Sequence, residues 1–237
     1  MIRKNYLKVV LFILSAGIIF SCAREASKDV NQEAIRQDYT VSYKAVTNVT
    51  TIKASFKFGE GFGRTRLKLS DPSAVTFNGK SMDFNQIAAN YRKKENGFID
   101  TVQYTWKDVN GNVYKNAISM PKTHLVPVKT IDASKPGALK WKGSDLRTGE
   151  EICVTIKSNP ADTAQDIESY EFCSAWDSKN PKQVSLGTDK LKNIPKGEIK
   201  ITLKRTLRKP LNEDTPKQKG LPMRFSYWDE PIMARLK

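Results

Sequence analysis

The chain has one histidine, His124, and that limits the catalytic chemistry open to it. A Ser–His–Asp triad needs a histidine held between a nucleophile and a carboxylate, and no GxSxG turn accompanies His124 to present a serine. His124 lies in a proline-punctuated stretch, 121–137 (PKTHLVPVKTIDASKPG), which reads as a connector with the histidine on its surface. Glycosidase chemistry needs two carboxylates across a cleft. Asp100, Asp108, Glu168 and Glu171 are available, but no spacing singles out a pair. Gly59-Glu60-Gly61-Phe62-Gly63 lacks the GK[ST] ending and following helix of a phosphate-cradling loop, so it reads as a bend or bulge. Cys153 and Cys173 have no CxxC spacing, and with a single histidine they suggest no zinc set. No metal or cofactor is expected.

Binding chemistry is better represented. Arg64, Arg66 and Lys68 share one strand face, opposite Leu67 and Leu69. Lys200, Lys204 and Arg208 share another, opposite Ile199, Ile201 and Leu203. Lysine on outward faces guards sheets against edge-to-edge aggregation, and the same rows are candidate anion-binding stripes. Among the tryptophans, Trp106 and Trp176 fall in step with apolar neighbours and read as core. Trp228, between Tyr227 and Asp229-Glu230-Pro231, has no such neighbours on its far side and is the candidate platform for stacking a sugar ring.

The first residues carry a different signal. Arg3, Lys4 and Lys8 precede an apolar run from Val9 to Phe20, which ends at Ser21-Cys22. That run is shorter than the roughly 20 residues needed to cross a bilayer. A positive start, a short apolar core and a small residue at the cut are the parts of a secretory signal peptide. Ile19-Phe20-Ser21-Cys22 also resembles the lipobox of bacterial lipoproteins. The resemblance implies cleavage before Cys22, acylation of that cysteine and stable attachment through two or more acyl chains. It implies an exported, membrane-anchored protein. Ala23 in place of aspartate favours the outer membrane.

Without residues 1–21 the chain keeps 216 residues, and its net charge falls from +15 to +12 with the loss of Arg3, Lys4 and Lys8. Residues 38–127 hold 13 basic and 7 acidic residues, and residues 128–237 hold 21 and 15. So even a spread marks out no nucleic-acid module, and no nucleic-acid partner is expected. The field suits anionic headgroups, an acidic polysaccharide or an acidic protein. With Cys22 lipidated, Cys153 and Cys173 remain as an even pair, suited to an oxidising compartment. From Ile152 to Ile156 the apolar positions are even-numbered, as they are from Tyr170 to Trp176. Both cysteines therefore project to the opposite face, where a disulfide can join neighbouring strands.

Residues 22–38 read as a lipidated, flexible tether. From Tyr39 onward, period-two alternation predicts strands at short intervals: Tyr39–Ala45, Ile52–Phe58, Leu67–Leu69, Val102–Trp106, Ile152–Ile156 and Ile199–Leu203 among them. Asn78-Gly79 and Asn110-Gly111 suit tight hairpins. Residues 84–94 (FNQIAANYRKK) form one short helix in this reading. The fold class is all-β, with two tandem immunoglobulin-like or fibronectin-like antiparallel β-sandwich domains, 39–127 and 128–237. No Cys…Trp…Cys signature accompanies them. The expected function is a lipid-anchored cell-envelope protein, a non-enzymatic binding or structural module for a protein, glycan or polyanion. The alternative is a small envelope hydrolase using carboxylates.

Mass spectrometry of the native N-terminus is expected to show an acylated Cys22. An intact Met1 or an unmodified Cys22 refutes that expectation.

Overall fold

Alternation of buried and half-buried residues runs almost unbroken along Arg36–Lys44 and Val49–Phe58. A two-residue period in side-chain direction leaves such segments no other way to bury one face. The computed structural model describes residues 24–59, 65–159, 168–178, 182–212 and 219–237. The leader, Cys22, Arg64 and the centre of the glycine-rich stretch lie outside the described residues.

The chain is all-β. Its strands are β1 (Arg24–Ala26), β2 (Arg36–Lys44), β3 (Val49–Phe58), β4 (Thr65–Lys68), β5 (Ala74–Phe77), β6 (Lys80–Ser81) and β7 (Asp83–Asn85). There follow β8 (Asn90–Asn96), β9 (Thr101–Lys107), β10 (Val113–Ser119), β11 (His124–Leu125), β12 (Thr130–Ile131), β13 (Gly137–Lys142) and β14 (Glu150–Ser158). The last are β15 (Ser169–Ala175), β16 (Gln183–Leu186), β17 (Gly197–Lys209), β18 (Lys219–Gly220), β19 (Met223–Trp228) and β20 (Ile232–Leu236). An α-helical turn, α1 (Thr188–Leu191), precedes β17, and three-residue 3-10 turns lie at Ser27–Asp29, Gln32–Ala34 and Ala45–Thr47.

A single large sheet runs β1-β4-β3-β2-β19-β17-β14-β15, with β8 beside β3 and β20 beside β17. Two smaller sheets, β10-β9-β5-β6 and β11-β13-β16, complete the fold. The apolar residues divide into two cores. The first joins Tyr39, Ile52 and Phe225 of the large sheet to Phe77, Tyr104 and Trp106 of the four-stranded sheet. The second joins Val154, Ile156 and Ile201 to Leu139, Trp141 and Val184. Leu207 of β17 belongs to the first core and Leu203 to the second. They stand four residues apart, hence on one side of the strand. Both smaller sheets therefore cover the same face of the large one.

The first core takes residues from Ile35 to Met120 and the second begins at Leu125, but Leu207, Met223, Phe225 and Tyr227 belong to the first, and β19 returns from the end of the chain to lie parallel to β2, with Arg224 opposite Thr40. The large sheet is thus continuous across both halves and not purely antiparallel. Residues 24–38, expected as a flexible tether, are packed. β1 pairs with β4, Ser27 is buried with its Oγ accepting from Ser70 N at 2.9 Å, and Ile35 enters the first core.

The helix expected over 84–94 is instead the hairpin β7–β8. Asn85 Oδ1 accepts from Ala88 N at 2.8 Å, a side-chain turn that competes with helix formation, and Ala89 takes a left-handed φ of 46°. Ile87, in the turn of this hairpin, is 95% exposed. The Asn78-Gly79 hairpin forms as read, with φ of 45° and 77° at its two residues. Trp176, read as core, falls one residue past the end of β15 and is 51% exposed.

Cys153 stands directly opposite Cys173 and is bonded to it, with the Cα atoms 4.1 Å apart. Ser158 N donates to Glu168 O, and Trp176 N to Glu150 O. By alternation, Cys153–Cys173 is a non-hydrogen-bonded pair, the type whose side chains lie closest. Closing this loop, a sequence separation of 20, stabilises by about 3 kcal/mol in the chain-entropy model. Reduction is expected to lower the melting temperature by roughly 6–12 °C, at the usual slope for a chain of this size. Scanning calorimetry with and without reductant measures this, and an unchanged transition contradicts it.

Candidate functional site

Three groups of polar side chains could do more than hold the fold. The first is buried. Arg205 projects from the apolar face of β17 between the two cores and is fully buried, as is Glu150. The two form an ion pair. Arg205 also donates to Thr123 Oγ1 at 2.9 Å, Asp145 O at 2.9 Å and Ser144 O at 3.3 Å. Arg147 holds Glu150 from the other side, through Nε at 3.0 Å and its backbone N at 2.8 Å. Burial works to raise the Glu150 pKa, but hydrogen bonds from Arg147 and the charge and hydrogen bond of Arg205 outweigh it and hold the carboxyl below its ordinary value.

The second group contains the lone histidine. His124 Nδ1 lies 3.0 Å from Asp229 Oδ1, and the other oxygen of Asp229 accepts Leu125 N at 2.9 Å. Tyr227 OH donates to Asp229 at 3.4 Å. Burial, then the charge of Asp229, pushes the Tyr227 phenol well above its ordinary value, so it remains a donor. This is a brace tying β11 to the end of β19.

The carboxylates considered for hydrolysis are likewise scattered or occupied. Asp108 is buried in the β9–β10 turn, accepting from Asn112 N at 2.8 Å and Tyr114 OH at 3.3 Å. Asp100 and Glu171 are exposed, one ahead of β9 and the other on β15. Glu151 stands near Cys153 and Cys173, but with both sulfurs in a disulfide the trio offers no thiolate.

A groove of about 400 Å³ lies between β10 and the 147–149 and 207–210 segments. Two of its three cations are already engaged: Arg147 with Glu150 and with Ser119 O at 2.8 Å, and Lys209 with Ala117 O at 3.0 Å; the third, Arg208, belongs to the open face of the large sheet.

The third group is the open face of the large sheet, opposite both cores. Partners in register project to one side, so the pairings trace rows across β17, β19, β2, β3 and β8. One row is Arg208, Arg224, Thr40, Lys53 and Arg92. The next is Thr206, Ser226, Ser42, Thr51 and Lys94, and the third is Lys204, Trp228, Lys44, Val49 and Asn96. Of these fifteen positions seven are cationic and none is acidic. Among the described residues none of the seven joins an ion pair, and Arg92 Nε is buried without a hydrogen-bond partner. Lys204 Nζ lies 5.5 Å from the centre of the half-buried Trp228 ring.

The structure thus brings Lys204, Arg208 and Trp228 together. Lys200 is exposed further along β17, between Lys157 and Met233. Arg66 and Lys68 lie on the same open face, but β4 is four strand steps from β17, about 19 Å. Arg66 is engaged with Ala88 O at 2.7 Å, and Lys68 Nζ lies 5.9 Å from the Phe84 ring centre. Sequence reasoning missed Lys44, Lys53, Arg92, Lys94 and Arg224. Lys53, between Ile52 and Ala54, and Arg224, between Met223 and Phe225, alternate with buried neighbours, but only the register assembles the five. Searches against protein-family models, curated proteins and solved structures return no match.

Replacing Arg205 with Ala leaves Glu150 buried and is expected to cost about 3–5 kcal/mol. Arg205→Met with Glu150→Leu recovers much of that loss in a denaturant titration. Because the folded Glu150 pKa is depressed, its contribution is present above the unfolded value of roughly 4.3 and is lost as pH falls through the folded one. Glu150→Gln is therefore expected to flatten the acid limb of the stability profile. An unchanged acid limb contradicts the assignment.

Proposed function

We propose that the chain is an exported protein anchored by acylated Cys22, most naturally at the outer membrane. In this reading it is a non-enzymatic binding module of the cell envelope. The observation that carries it is three neighbouring rows on the open face of the large sheet: seven cations and no acid among fifteen positions on five strands, with both smaller sheets packed on the opposite side. A face that is neither core nor neutralised by its own carboxylates is suited to an anionic partner, a glycan or an acidic protein. The two separate cores support reading the halves as two immunoglobulin-like or fibronectin-like sandwiches, fused through the strands they share. No observation on the described residues favours the carboxylate hydrolase.

The test uses residues 24–237, which contain every residue of both cores, mixed with washed envelope fragments. The protein is expected to co-sediment at low salt and to be released as the screening length shortens toward about 8 Å at physiological ionic strength. A variant with Lys53, Arg92, Arg208 and Arg224 changed to Gln is expected to stay in the supernatant with its melting temperature unchanged. Equal sedimentation of the two proteins overturns the assignment of the surface.

A further inference from the structure

The open face is ordered across its width, and the order points to one ligand chemistry. The geometry points to a linear acidic glycan, a chain of uronic-acid units, laid across the strands along Arg208, Arg224, Lys53 and Arg92. This rests on the proposed binding surface and names what that surface takes.

Three observations carry it. First, the cations of this row occur at the pitch of the sheet, with Arg208 beside Arg224 and Lys53 beside Arg92, and Thr40 between the pairs. Strands are spaced at about 4.8 Å, so the row spans roughly 19 Å. A hexuronate unit is about as long as one strand step, and each unit carries one carboxylate. A polyuronate therefore advances about one unit per strand, and the long arginine and lysine side chains can meet carboxylates on either side of it.

Second, the adjoining row is hydroxylated: Thr206, Ser42 and Thr51 are half-buried and each stands two residues along its strand from a cation, with Ser226 buried among them. Hydroxyls both donate and accept, which suits the ring hydroxyls of a sugar. A polyphosphate or a phosphatidylcholine headgroup offers acceptors alone.

Third, the row beyond holds Trp228, with Lys204 and Lys44 on its two sides. A half-buried indole flanked by cations can stack on a sugar face while the ammonium groups meet its carboxylates. Cation, hydroxyl and aromatic in parallel rows match a carboxylated sugar chain better than a membrane or a nucleic acid.

The test is calorimetric titration of residues 24–237 with size-graded oligogalacturonates. Neutral oligosaccharides of the same lengths and equimolar phosphatidylcholine–phosphatidylglycerol vesicles are titrated beside them. Affinity is expected to rise with oligomer length until the chain spans Arg208 to Arg92, and then to level off. Changing Lys53, Arg92, Arg208 and Arg224 to Gln is expected to weaken binding about tenfold or more. Changing Lys115, Lys140, Lys192 and Lys196, exposed lysines away from this face, removes the same charge and is expected to alter affinity by no more than about twofold. Trp228→Ala is expected to weaken binding about threefold without altering its salt dependence.

No binding to oligogalacturonate, tighter binding to the anionic vesicles, or equal losses in the two lysine–arginine variants overturns the proposal. If the row variant still fails to co-sediment with envelope fragments while oligogalacturonate binding is absent, the ligand assignment falls and the surface stands. If the row variant and the control behave alike in both assays, both fall.

Discussion

A strand of thirteen residues that serves two cores has to cross the space between them, and β17 does so at Arg205. Its inward positions run Ile199, Ile201, Leu203, Arg205 and Leu207; the first three lie in one core and the last in the other. A charge at that point is tolerable only because Glu150 and the Thr123, Ser144 and Asp145 oxygens receive it. Those partners come from the connector after the four-stranded sheet and from the approach to β14. The ion pair therefore fixes the seam by specifying which segments meet there. A pair of apolar residues would bury as well but would not dictate the meeting, and unpairing either charge leaves the other stranded in low dielectric. Asp229 makes a second brace of the same kind, holding β11 to the end of β19 through His124 and Leu125.

The rest of the architecture follows from that seam. Once β17 is shared, β19 pairs with it on one side and with β2 on the other, and the two halves join edge to edge. Both smaller sheets then lie on the side where the apolar residues already project. The opposite face of the large sheet is left to polar residues, and the sequence fills it with lysine, arginine, serine and threonine. Acids border the central rows: Glu151 stands opposite Thr206, Asp83 stands opposite Arg92 and pairs with Lys93 at 3.1 Å, and Asp38 pairs with Lys57 at 3.4 Å. The three central rows over β17, β19, β2, β3 and β8 therefore hold cations with no acid among them, although the charge of the whole chain is evenly divided along its length.

Several elements were legible without the fold. The alternation in Tyr39–Tyr43, Ile52–Phe56, Val102–Trp106 and Ile199–Leu203 named the buried side of each strand, because a strand has only two sides. The parity of Cys153 and Cys173 against their apolar neighbours placed both sulfurs on one face. The 84–94 segment misled because its apolar spacing fits a helix, while Asn85 caps a turn with its own side chain and Tyr91 completes the first core. Residues 24–38 misled because polar composition usually means an unpacked chain. Here Ser27 and Gln32 are buried by making side-chain hydrogen bonds, to Ser70 N and to Ser27 O.

By itself, then, the sequence determined which residues of the strongly alternating strands face inward, where the Asn-Gly turns fall, and that the chain is all-β and strongly basic. These are properties of neighbours along the chain, set by a two-residue period and by the φ angles that particular residues accept. Only the tertiary structure decided that Arg224 lies beside Thr40, that Arg205 is buried while Lys204 and Arg208 are not, and that cations from five strands form one surface. Such facts depend on the register between strands far apart in sequence. Register is set by how complete cores close around a shared strand, and a pattern read along one segment holds no record of it.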